Sequence, residues 1–102
     1  MSVMGFYLIG HLIAGQVPIT RLLRAQIAAA REDYELAANE LEQVLAVEPN
    51  NLSALYLYGS AQFSLENYTT AEGALSQVVA RAPQNLAARR LLAATQVQMD
   101  EP

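Results

Sequence analysis

The chain repeats part of its own sequence at a fixed interval, which we call the repeat period. Aromatic, small, aliphatic and proline positions keep the same phase in both copies. The pairs are Tyr34/Tyr68, Ala37/Ala71, Leu41/Leu75, Val44/Val78 and Pro49/Pro83. A period of about 34 residues is typical of helix pairs that stack on neighbouring units, because one unit cannot bury its apolar face alone. We therefore predict an all-α solenoid with an extended concave surface for binding.

The apolar positions of each copy follow a helical period. Ala37, Leu41 and Val44 are spaced i, i+4 and i+7, and their counterparts keep this spacing. The spacing places each set on one stripe of a helix. A proline follows each stripe, and Asn51 and Asn85 stand just beyond it. Because asparagine caps helix N-termini well, we predict that both residues cap the next helix.

The second unit resembles a tetratricopeptide repeat. That family places a Leu-Gly pair in helix A, a small and then a large residue in helix B, and a proline after helix B. Those places are taken here by Tyr58-Gly59, Ala71, Leu75 and Pro83. Val78 is a mild departure, since a small residue is usual there. The resemblance implies an all-α superhelix whose helices A line a concave groove.

The resemblance divides the chain into two full repeats with a half repeat at each end. Residues 18–51 form the first repeat, residues 52–85 the second, and residues 86–102 helix A of an incomplete third. Gly59 then lies where helices A and B approach closely. Since glycine within a helix costs up to ~1 kcal/mol relative to alanine, we expect a packing reason for it. Tyr34 and Tyr68 are expected to pack across the A–B turns.

Residues 1–17 are mostly apolar and admit three interpretations. The favoured one is an apolar helix, helix B of a preceding repeat, because Val3, Tyr7 and Gly10 lie one period before the first helix-B stripe. A signal or membrane segment is less favoured, since the apolar run is shorter than the ~20 residues of a span and no basic region precedes it. The third interpretation is a degenerate helix A, because residues 6–10 resemble residues 55–59.

Both ends of the chain lack the polar outer face that terminal repeats of a solenoid normally carry. Leu91, Leu92 and Val97, for example, have no predicted helix B to cover them. Contiguous apolar patches of this kind mark interaction surfaces. We therefore expect the chain to be part of a longer repeat protein and to form a homo-oligomer through its uncapped ends.

The composition excludes several kinds of chemistry. The chain has no cysteine, so disulfides, thiolate zinc sites and cysteine nucleophiles are excluded. Its net charge of −4 argues against binding to nucleic acid, which needs a basic stripe. His11, the only histidine, has no partner at catalytic or metal-ligand spacing. The acidic cluster around Asp33 falls at a helix start, where negative charge is favoured. We therefore expect no enzyme activity, metal or cofactor.

A groove along the helices A is the expected binding surface. The offsets implied by the resemblance point residues of all three helices A into it, Ser53 among them. Six are the main candidates: Leu22, Gln26, Tyr56, Ser60, Phe63 and Arg90. Family members that clamp a peptide carboxylate use Lys, Arg and Asn there, so a clamp with Arg90 alone is not expected. Aromatic anchors favour an apolar partner segment at Tyr56 and Phe63. The alternative is that both rings pack against adjacent helices as core.

Two functions therefore remain open. The first is a non-catalytic scaffold that binds a segment of a partner protein in its groove. The second is a structural stacking or oligomerisation module of a longer protein. The run Arg89-Arg-Leu-Leu-Ala-Ala is similar to repeats of bacterial lipoproteins in exopolysaccharide and PEP-CTERM sorting systems. That resemblance implies a bacterial cell envelope, on the periplasmic side, whereas membrane association through residues 3–14 is not favoured.

Overall fold

The computed structural model describes residues 18–101. In this range the chain folds into five helices and no strand: α1 Pro18–Ala30, α2 Tyr34–Val47, α3 Leu52–Ser64, α4 Tyr68–Arg81 and α5 Leu86–Asp100. This confirms the predicted all-α helical repeat. None of these five helices is both long and apolar enough to cross a bilayer. The helix predicted for residues 1–17 lies outside the described residues.

Successive helices pack against each other along the chain. The main contacts join α1 with α2, α2 with α3, α3 with α4 and α4 with α5. Weaker contacts join α1 with α3 and α3 with α5. Because linkers of three or four residues connect the helices, neighbours are antiparallel. α1, α3 and α5 therefore form a row of helices A, and α2 and α4 are the helices B packed against them.

The turns from helix A to helix B share one geometry. In the first turn the N–H of Glu32 donates to the carbonyl of Ala29 at 2.9 Å, and the N–H of Asp33 donates to that of Ala28 at 2.8 Å. The second turn repeats both bonds one period later. Such a pair of bonds defines a Schellman motif, in which one residue takes a positive φ. That residue is Glu32 in the first turn, with a φ of 62°, and Glu66 in the second, with a φ of 65°. Glycine is the usual residue at such a position.

Side chains cap α2, α3 and α5. Asn51 and Asn85 each accept a hydrogen bond at 3.0 Å from the backbone N–H three residues further on. Both bonds confirm the predicted caps. Asp33 caps α2 in the same way at 3.2 Å. At the start of α4, Asn67 forms no side-chain cap and instead donates to the side-chain oxygen of the buried Gln62 at 2.8 Å.

The core consists of the helix-B stripes and the small residues of the helices A. Leu41, Val44, Leu75 and Val78 are all fully buried. Gly59 lies directly against one of them, because a Cβ atom added at Gly59 would be 2.7 Å from the Cγ atom of Leu75. This contact confirms the expected packing reason for Gly59, which lies where α3 packs closely on α4.

Tyr34 and Tyr68 pack across the A–B turns, as predicted. Tyr34 contacts a buried cluster that includes Ala28 of α1 and Ala61 of α3. The ring of Tyr68 meets the ring of Phe63 edge-on, with the ring centroids 5.5 Å apart and the ring planes at 65°. Edge-to-face geometry of this kind is favourable for aromatic pairs, so the contact ties the end of α3 to the start of α4.

Two helix faces are open within the described range. On α1, Leu23 and Ile27 are 54% and 51% exposed, and on α5, Leu86 and Val97 are 58% and 56% exposed. Ala93, the counterpart of Gly59, is exposed as well. The reason is that no helix B follows α5 in residues 18–101, and none precedes α1 there.

Candidate protein-binding groove

A groove of about 280 Å³ opens where the helices A of successive repeats come together, near the start of α3. We call it the helix-A groove. Its lining residues come from α1, α3, the end of α4 and the cap of α5: Gln26, Leu52, Ser53, Tyr56, Leu57, Val78, Ala82 and Asn85. Two successive repeats contribute to this surface, the first through Gln26 and the second through all the other lining residues.

The helix-A groove has an apolar base and an uncharged polar rim. Val78 is buried, and Tyr56 and Leu57 are half-buried, so these side chains form the base. Gln26 and Ser53 are exposed and form the rim. No lining residue is acidic or basic. The groove therefore suits apolar groups and neutral hydrogen-bonding groups.

Several polar atoms of the groove are available to a ligand. The Oδ1 atom of Asn85 accepts the capping hydrogen bond from the N–H of Ala88, which leaves the side-chain N–H groups of Asn85 as donors. The side chains of Gln26, Ser53 and Tyr56 make no hydrogen bond to any other residue of the range 18–101. A bound segment can therefore use these groups without breaking an existing contact.

The structure brings two of the six predicted groove residues together. Gln26 and Tyr56 both line the helix-A groove, whereas the other four do not. Leu22 packs against the buried cluster around Leu41 and Val44. The ring of Phe63 meets the ring of Tyr68 edge-on. Ser60 is half-buried on α3, and Arg90 is exposed on α5.

Five of the lining residues were not predicted as groove residues from the sequence, whereas Ser53 was. Leu52 and Leu57 lie on α3, but the predicted offsets passed over them. Ala82 and Asn85 lie in the linker after α4, and Val78 is a core residue of α4 whose edge reaches the groove. The length of the linker after α4 could have predicted Ala82 and Asn85. A four-residue linker keeps both residues next to the end of α4, and in an antiparallel helix pair that end lies beside the start of α3.

The clearest electrostatic perturbation lies outside the groove. The hydroxyl group of Tyr58 donates to Oε1 of Glu42 at 3.1 Å and so joins α3 to α2. Burial, and then the hydrogen bond and negative charge of Glu42, raise the pKa of Tyr58 above its usual value of 10.0, against a smaller opposing contribution from Gln62. Among residues 18–101, no three His, Cys, Asp or Glu side chains cluster as metal ligands would.

Stacked helix pairs around a continuous core, with a groove across successive units, define an α-helical repeat protein. A sequence profile described as tetratricopeptide repeat matches residues 22–85. The chain therefore belongs to the tetratricopeptide repeat family. Repeats of this family generally mediate protein–protein interactions, and the family typically supplies non-enzymatic scaffolds. A search of curated proteins found no match to the chain.

Proposed function

We propose that the chain is a non-catalytic scaffold whose helix-A groove binds a segment of a partner protein. The observation that carries this proposal is the uncharged lining contributed by two successive repeats. Small-molecule pockets usually have ~300–1,000 Å³ and bury most of their ligand. At about 280 Å³ the helix-A groove is smaller, and its rim residues are exposed. It therefore fits one or two side chains of a longer segment.

The bound part of the partner is expected to be apolar and uncharged. Tyr56 offers a ring face and a hydroxyl group, and aromatic side chains of this kind contribute strongly at interfaces. Gln26 and Asn85 offer neutral amide groups that pair with backbone groups of a bound segment. A carboxylate would meet no basic side chain among the lining residues, so we do not propose a carboxylate clamp.

A charge placed in the groove tests the proposal without disturbing the fold. Ser53 is the second residue of α3, where an acidic side chain is favoured by the helix dipole. Thr69 is the second residue of α4 and lies outside the groove, so Thr69→Asp is a matched control. Peptides selected from a random display library against the parent chain should bind Ser53→Asp at least ~10-fold more weakly, because binding would desolvate an unpaired charge. Their affinity for Thr69→Asp should equal that for the parent.

Fluorescence polarisation with the selected peptides measures both dissociation constants. Binding should also be nearly independent of ionic strength, since no charged group lines the groove. The proposed groove would be wrong if every selected peptide bound the two variants equally well, or if the selection converged on acidic C-termini.

A second function, stacking or oligomerisation, is favoured by the open face of α5. Ala93 and Val97 are exposed there, whereas their counterparts Gly59 and Phe63 pack against α4 and its first residue. We infer that another copy, or a further repeat of a longer protein, covers this face. Light scattering on the chain checks this inference.

The cellular setting proposed for this scaffold is a bacterial envelope, on the periplasmic side. It rests on the similarity of the run that begins at Arg89 to repeats of exopolysaccharide and PEP-CTERM sorting lipoproteins. Fractionation of the producing cells tests it, because recovery of the protein in the cytosolic fraction alone would contradict an envelope role.

A further inference from the structure

The exposed apolar face of α1 corresponds to faces of α3 and α5 that are buried at the equivalent position. Leu23 and Ile27 are about half exposed on α1. One and two periods later, the place of Ile27 is taken by Ala61 and Thr95, which are 3% and 0% exposed. Ala61 lies on α3, which packs on α2, and Thr95 lies on α5, which packs on α4. In both later repeats, therefore, the helix A carrying this position packs against the preceding helix B.

The groove beside this face lacks one wall. It measures about 380 Å³ and is lined by side chains of α1, α2 and their turn, among them Arg24, Leu36 and Glu40. These three positions recur one period later in a groove of about 420 Å³. The later groove has a further wall, formed by Leu45 of α2 and Pro49 of the linker that follows it. A helix B before α1 would supply the corresponding wall here.

We propose that residues 1–13 of the same chain cover this face as a helix B. The helices α2 and α4 have 14 residues each. Four residues separate each of them from the next helix A. Residues 1–13 lie one period before α2, and residues 14–17 correspond to the four-residue linker. No Asp, Glu, Lys or Arg occurs in residues 1–17, so burial of their side chains would leave no acidic or basic group of these types unpaired.

The short linker favours this segment over a second copy. Four residues hold it beside α1, so its effective concentration is in the mM range or above, whatever the protein concentration. The repeat register also predicts one specific contact. Met4 lies one period before Ala38, and Ile27 lies one period before Ala61. Ala38 and Ala61 belong to the same buried cluster. Met4 should therefore lie against Ile27.

Pairs of cysteines in the full chain test this register, because the parent has none. Met4→Cys/Ile27→Cys is expected to form an intramolecular disulfide under mild oxidation, seen as a monomer of increased mobility on a non-reducing gel. Ala38→Cys/Ala61→Cys is the positive control, since both residues belong to one buried cluster. Leu8→Cys/Ile27→Cys is the negative control, because the places equivalent to Leu8 in α2 and α4 are exposed.

Three other outcomes of the cysteine-pair experiment would each overturn the proposal. A disulfide-linked species of twice the chain mass would assign the face of α1 to a second copy. Absence of any disulfide, while the positive control closes, would mean that residues 1–13 do not cover the face. Equally fast closure of the negative-control pair would mean that the segment has no fixed register.

A substitution without cysteine gives an independent readout on the full chain. Ile27 is 51% exposed, and Val47 at the end of α2 is 66% exposed. If residues 1–13 cover Ile27, Ile27→Gln should lower the Tm by roughly 4 °C or more, because apolar contact is lost. Val47→Gln should stay within about 2 °C of the parent. Equal Tm values for the two variants would overturn the proposal.

Discussion

At the scale of single residues, Gly59 sets how closely α3 approaches α4. Its backbone lies against Leu75 so tightly that an added Cβ atom would be 2.7 Å from the leucine Cγ atom. In the first repeat, Ala25 and Leu41 take the same two places, and both are 1% exposed. The crossing of α1 with α2 therefore accommodates a methyl group that the crossing of α3 with α4 excludes.

Gly59→Leu should destabilise the protein by ~1–3 kcal/mol, because the larger side chain overpacks this crossing. Urea unfolding followed by circular dichroism measures the change. Ala93→Leu is the matched control, since Ala93 occupies the same place on α5 and is exposed. The control should unfold with the parent, and a Gly59→Leu variant that also did so would show the proposed repeat register to be wrong.

Tyr58 should make stability depend on pH in the alkaline range. Its pKa is raised in the folded protein above the value of 10.0, so folding favours the neutral phenol. That contribution is fully present below pH 10 and is lost as the pH rises through the higher folded pKa. Denaturant unfolding at pH 9 to 11.5 should therefore show a steeper loss for the parent than for Tyr58→Phe. Parallel stability curves for the two proteins would contradict this.

At the scale of elements, each A–B turn holds a glutamate where glycine is usual. Glu32 and Glu66 both adopt a positive φ, which costs residues with a Cβ atom roughly 1 kcal/mol or more. The sequence did not predict this geometry, because neither position is glycine or asparagine. The turns keep it because the Schellman bonds satisfy carbonyls at the ends of α1 and α3.

Glu66→Gly should therefore stabilise the protein by about 1 kcal/mol, since it removes the backbone strain at an exposed site. Thermal unfolding measures the gain as a higher Tm. Glu35→Gly is the control, because Glu35 lies in the first turn of α2 with helical geometry, where glycine lowers stability. If Glu66→Gly lowered the Tm as much as Glu35→Gly, the strain at the turn would be refuted.

The elements themselves follow closely from local sequence. The stripes of α2 and α4 have helical spacing, and Asn51 and Asn85 cap α3 and α5 as predicted. Asn67 shows the limit of such reasoning. It occupies the N-cap position of α4, yet its side chain binds the amide of Gln62 instead. The buried Gln62 needs a partner, and that need arises only once α3 and α4 are packed together.

At the scale of the whole molecule, the open face of α5 should drive self-association. Leu86 and Val97 leave more than half of their surface exposed there. Light scattering coupled to size exclusion should show a mass that rises with concentration, and Val97→Glu should lower it. Val47→Glu should leave the mass unchanged, because Val47 is also more than half exposed but lies on α2. A parent chain that remains a monodisperse monomer at high concentration would contradict the proposed oligomer.

The repeat period was enough to predict the helix pairs, their stacking order, the buried stripes and the place of Gly59, because all of these depend on spacing along the chain. The lining of the helix-A groove depends on more than spacing. Gln26 and Tyr56 meet there with Ala82 and Asn85, whereas Phe63 turns to Tyr68. Which side chains share a groove is set by helix crossing angles and linker paths, and these arise from packing between repeats rather than from the period within them.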